Sequence, residues 1–141
     1  MKRVLLLVSI VVVIFSCDAR RKDKIADDAL QQMEAASKNL TTVELIDSVF
    51  NFGSITEGEK VEFSFRFRNT GKFPLVITNV SATCGCTIPE KPEQPIKTGE
   101  TGFIKVVFNS KSKSGHQEKS ITVSSNANPA FNDLKLVGEV K

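Results

Sequence analysis

Eight consecutive residues constrain this chain more than any others: Val61-Glu62-Phe63-Ser64-Phe65-Arg66-Phe67-Arg68. Val61, Phe63, Phe65 and Phe67 fall on one side of an extended chain, and Glu62, Ser64, Arg66 and Arg68 on the other. A helix would scatter these four apolar side chains around its axis, so the segment must be a strand with one face in a core and one in water. Turn residues bracket it, Thr56-Glu57-Gly58-Glu59 before and Asn69-Thr70-Gly71 after, as expected where a chain reverses. Further strands are expected at Val43 to Phe52, Leu75 to Thr83, Gly102 to Asn109, Glu118 to Ser124 and Leu134 to Val140. Short strands at such spacing, with Gly, Pro and Asn between them, predict an all-β, antiparallel sandwich of about seven strands. No segment reads as a crossover helix, which argues against parallel pairing. Pro89, Pro92 and Pro95 predict a loop or ragged edge strand from Pro89 to Lys97.

The N-terminus has different physics. Met1-Lys2-Arg3 precedes an apolar run, Val4 to Phe15, of signal-peptide length and too short for the roughly 20 residues of a membrane span. Ile14-Phe15-Ser16-Cys17 resembles the bacterial lipobox. That resemblance implies cleavage before Cys17, a diacylglycerol thioether on its sulfur and acylation, by palmitate for example, of the new amine. Each buried CH₂ contributes about 0.8 kcal/mol, so two or three chains hold a protein at a membrane surface. From Asp18 to Thr42 the chain reads as a tether, with the charged run Arg20-Arg21-Lys22-Asp23-Lys24. Ile25, Ala29, Met33 and Ala36 allow a short helix over about 24–38, in competition with a frayed spacer. The expected organisation is therefore 1–16 signal peptide, 17–42 lipidated Cys and tether, and 43–141 folded domain.

Charge excludes one class of partner. The +3 formal charge arises from 19 basic against 16 acidic residues, and two of the basic ones, Lys2 and Arg3, leave with the signal segment, so the remainder is +1. No nucleic-acid footprint is expected. Enzyme signatures are missing too: there is no phosphate-cradling Gly-rich loop, no GxSxG elbow and no His-rich metal motif, and His116 stands alone in an expected hairpin tip, Ser112 to His116. No catalytic, cofactor or metal residues are assigned, and the only non-protein group expected is the lipid on Cys17.

In order and spacing, Phe50-Asn51-Phe52-Gly53, Ile55, Glu57-Gly58-Glu59, the alternating Phe strand, Asn69-Thr70-Gly71, Pro74-Leu75, Cys84-Gly85-Cys86-Thr87, Gly115, Ser125-Asn126 and Gly138 resemble the bacterial family called domain of unknown function 1573. The resemblance covers about residues 43–141. It implies an immunoglobulin-like fold, related to domains of ciliary and centrosomal proteins of the Hydin type, often carried by secreted or lipid-anchored proteins of Gram-negative bacteria. It supplies no reaction. One departure is Thr98 before Gly99, where the family more often has Pro.

One residue pair could carry chemistry. Cys84 and Cys86 in a regular strand would lie about 6.6 Å apart, the far edge of disulfide geometry, so a bond requires a bend, which Gly85 permits. Three readings stay open: a structural thiol pair or disulfide, a labile redox disulfide, or a thiolate pair for Cu(I) or, with added ligands, Zn²⁺. The leading expectation is a lipid-anchored domain of a Gram-negative cell envelope, facing the periplasm, that binds or scaffolds a protein or glycan partner. The alternative is an envelope thiol-redox or copper-handling protein acting through Cys84 and Cys86.

Overall fold

The computed structural model describes Glu34 and residues 38–141. The signal segment, Cys17 and the 24–38 helix lie outside those residues, Glu34 and Lys38 excepted. Two four-stranded sheets pack face to face as an immunoglobulin-like sandwich. The first holds, in spatial order, β1 (Val43–Leu45), β3 (Lys60–Asn69), β6 (Thr101–Asn109) and β5 (Thr87–Glu90). The second holds β2 (Val49–Ile55), β8 (Leu134–Val140), β7 (Gly115–Ser125) and β4 (Ile77–Ala82).

The alternating Phe segment forms most of β3, paired with β6 from Lys60↔Asn109 to Arg68↔Thr101. Its apolar face meets the other sheet. Phe65 is 0% exposed and Phe67 1%, and they share the core with Ile104, Val106 and Phe108 of β6 and Ile121, Val123, Leu134 and Leu136 of the second sheet. Phe50 of β2 stacks on Phe63 with ring centroids 3.8 Å apart. Phe52 lies over Gly138, where an added Cβ would strike its ring.

Four expectations change in whole or in part. The strand from Val43 to Phe52 is two strands in different sheets, divided at Ile46–Ser48. Arg66 causes the division: its carbonyl accepts from the Ile46 and Asp47 N–H groups at 3.0 and 3.1 Å. Asp47 in turn accepts from the Arg66 N–H at 3.0 Å and from its guanidinium at 2.7 and 3.0 Å. The sandwich is also not antiparallel throughout, because β2 pairs with β8 in parallel. A parallel pair needs a long connection rather than a helix specifically, and here residues 56–133, which fold as the other strands, provide it. The eighth strand, β5, starts at Thr87, so Pro89 lies inside an edge strand, where its missing N–H costs no ladder bond. His116 is likewise not at a hairpin tip: it is the second residue of β7, opposite Glu139 of β8.

Candidate functional site

The chain changes sheet at both lateral margins of the sandwich, at Ile46–Ser48 on one side and at Thr83–Cys86 on the other. The second crossing is very short. Thr83 donates its N–H to Ser120 of β7 at 3.1 Å, the end of the β4 ladder, while Cys86 accepts from Asn109 of β6 at 2.9 Å, the start of the β5 ladder. Two residues, Cys84 and Gly85, span the gap, with a turn closed by the Thr87 N–H donating to the Cys84 carbonyl at 3.2 Å. Cys84 and Cys86 are joined there in a disulfide with Cα atoms 5.3 Å apart, closer than a straight strand would hold them. The bend expected at Gly85 is present, and Cys86 packs against the core.

Beside this disulfide a cleft of about 430 Å³ opens on the outer face of the first sheet. Cys86 and Gly85 form one wall, and Ile88 and Val107, a cross-strand pair, form an aliphatic floor. Ile88 is 61% exposed. Lys60, Lys111 and Lys113 stand on the rim. Their convergence follows from the fold: the Lys60↔Asn109 pair brings the start of β3 to the end of β6, just before the loop that carries the other two lysines. Ser110, fully buried, ties that loop down by donating from its N–H and hydroxyl to the Glu59 carbonyl at 3.0 and 2.8 Å. Lys111 donates its N–H to the Asn109 side chain at 3.0 Å, and Lys113 its N–H to the Ser110 carbonyl at 3.0 Å. Ser112 between them has a φ of 58° and donates its N–H to the Glu57 carboxylate at 3.0 Å.

These lysines were missed at the level of sequence. The Lys111-Ser112-Lys113 alternation was visible, but Lys60 joins it only through a β3–β6 register that sequence does not specify. His116 does not line the cleft. Among the described residues no three His, Cys, Asp or Glu side chains gather as a metal site.

The opposite end of the domain is built differently. β3 has 10 residues, about 30 Å, and its far end is Asn69. Asn69 is 0% exposed; its Oδ1 accepts from the Thr41 hydroxyl at 2.8 Å and the Gly71 N–H at 3.1 Å, while its Nδ2 donates to the Phe73 and Ile96 carbonyls at 2.8 and 2.9 Å. Asn126 similarly accepts from the Val76 N–H and donates to the Asn39 and Pro74 carbonyls. The N-terminal approach to the domain, at Leu40 and Thr41, is fastened at this end, far from the cleft. A second cavity there, of about 360 Å³, includes Leu40, Lys72 and Phe73 in its lining.

No curated protein sequence matches the chain. Among solved structures, a protein of unknown function from Porphyromonas gingivalis W83 superposes with a TM-score of 0.62 at 17% identity, over 73% of this chain and 48% of that one. This chain thus accounts for about half of that molecule. The secreted serine protease VesC of Vibrio cholerae gives 0.54 at 9% identity, over 71% of this chain and 23% of that one. The E. coli chaperone DraB gives 0.50 at 9% identity, over 72% and 56%. At such identities the likeness is one of fold. The order of motifs from Phe50 to Gly138 is a sharper criterion, and it is met: the chain belongs to the family described as protein of unknown function DUF1573, whose sequence profile matches residues 43–140.

Proposed function

We propose that the chain is a lipid-anchored binding module of a Gram-negative cell envelope, and that it meets its partner at the cleft beside the Cys84–Cys86 disulfide. The observation that carries this reading is the cleft itself, which sets an exposed Ile88 and a half-buried Val107 among Lys60, Lys111 and Lys113. Concave surfaces that combine an apolar floor with a few polar groups are where recognition is concentrated. The cleft lies at the end of the sandwich remote from Leu40 and Thr41, so a tether running back to a lipidated Cys17 would leave it open to the periplasm. The immunoglobulin-like fold and the family supply a scaffold and no reaction. The disulfide's place, across the short crossing between Thr83 and Cys86, supports a structural role that holds the cleft wall in shape.

The test is site-specific photo-crosslinking in cells. A photoreactive residue at Ile88 is expected to give one defined adduct, and the same residue at exposed Ser124 of the second sheet to give none. Equal labelling at both positions, or none at either, rejects the cleft as the binding surface.

A further inference from the structure

The chemistry of the cleft narrows the class of partner, granted the preceding reading that the cleft is a binding surface. Two lysines elsewhere on the domain meet acids, Lys105 at 3.0 Å from Glu62 and Lys135 at 2.7 Å from Glu118. Among the described residues no ion pair holds Lys60, Lys111 or Lys113. Glu57, the acid beside them, already accepts from the Ser112 N–H. Three lysines therefore line an aliphatic floor, Lys60 from β3 and two from a loop whose backbone is fixed by Ser110 and Asn109. The adjacent sheet edge cannot add a strand through donors, because the Thr87 N–H is spent on the Cys84 carbonyl and Pro89 has no N–H. Contact must come from side chains lying across the face.

We propose that the cleft takes an acidic, partly apolar polypeptide segment, its aliphatic side chain seated on Ile88 and Val107 and its carboxylates on Lys60, Lys111 and Lys113. A single-stranded nucleic acid would look for aromatic platforms on which to stack, and none lines the cleft. An acidic polysaccharide would satisfy the ammonium groups and leave Ile88 uncovered. A chain carrying carboxylates and an aliphatic side chain satisfies both halves of the lining.

The experiment places the full chain in lipid nanodiscs, with empty nanodiscs as the blank, and follows the anisotropy of a fluorescein-labelled peptide alternating glutamate and leucine. Binding is expected, weakening as salt rises because the charges are exposed. The double variant Lys111→Glu, Lys113→Glu is expected to lose about tenfold in affinity with an unchanged melting temperature, and Ile88→Ser to weaken binding independently of salt. The proposal is overturned if the glutamine-leucine peptide binds equally well, if the charge reversals change nothing, or if polygalacturonate displaces the peptide more effectively than unlabelled peptide does. A crosslinked partner at Ile88 without affinity for the acidic peptide would reject this assignment and leave the binding surface standing, whereas loss of the crosslink rejects both.

Discussion

At the scale of single residues, two polar side chains organise the domain from opposite positions. Asn69 is buried, and its four hydrogen bonds reach β3's own turn, the Ile96 segment and Thr41. Truncating it removes the partner of the buried Thr41 hydroxyl and of the Phe73 carbonyl and one of two partners of the Ile96 carbonyl and the Gly71 N–H, so Asn69→Ala is expected to lower stability by about 2 kcal/mol in urea unfolding. Asp47 acts at the surface. The Arg66 guanidinium that donates to it holds its carboxyl below the usual value, while desolvation opposes that shift. A carboxyl with a depressed folded pKa stabilises above its unfolded pKa, and the contribution is lost as pH falls through the lowered value. Asp47→Asn is thus expected to melt below the parent at pH 7, modestly because Arg66 is largely exposed, with the gap closing below about pH 4. A gap independent of pH would refute the linkage. Sequence identified Asn69-Thr70-Gly71 as a turn and nothing more, because two of Asn69's partners, Thr41 and Ile96, lie 28 and 27 residues away and a turn Asn in water has the same local signature.

At the scale of elements, the strands that sequence displayed best are those with one face in the core and one in solvent. β3 is the clearest, since eight alternating residues admit a single periodicity. The β1–β2 division escaped because Ile46 and Val49 continue an apolar pattern, and the breaking force comes from Arg66 in another strand. The parallel β2–β8 pair escaped for a similar reason: alternation reports which face is buried, not which way the neighbour runs. Gly53 marks the place where that pair slips, with a φ of +72° and its N–H taken by the Asn51 side chain at 2.8 Å. The β4–β5 crossing was half legible, since Gly85 announced a bend and the adjacent sheets decided its direction. Its disulfide closes a very small loop, so chain entropy alone assigns it about 1.5 kcal/mol. Cys84→Ser combined with Cys86→Ser is expected to cost about that much, seen as a fall of several degrees in melting temperature with the fold retained. Complete unfolding of the double variant would show that the clamp does more than shorten an already short connection.

At the scale of the whole molecule, the domain has two dissimilar ends. One receives the N-terminal segment among buried asparagines, and the other carries the lysine-rimmed cleft. This polarity suits the proposed anchoring, with the N-terminus toward a surface and the proposed binding cleft outward. The anchor has its own test: Cys17→Ala is expected to move the folded chain out of the membrane fraction, and retention there would refute lipid attachment. How the cleft is composed was beyond sequence because its parts, Lys60, Gly85 to Ile88, Val107 and Lys111 to Lys113, come from separate stretches joined only by the first sheet. Were the proposed anchor to crowd copies on one surface, β5 would take on a second meaning. Neighbouring copies with open sheet margins would zip together, backbone to backbone, into ribbons and eventually fibres. Along β5, Thr87 and Pro89 offer a neighbour no amide hydrogens, so the margin that frames the cleft is poorly able to seed aggregation.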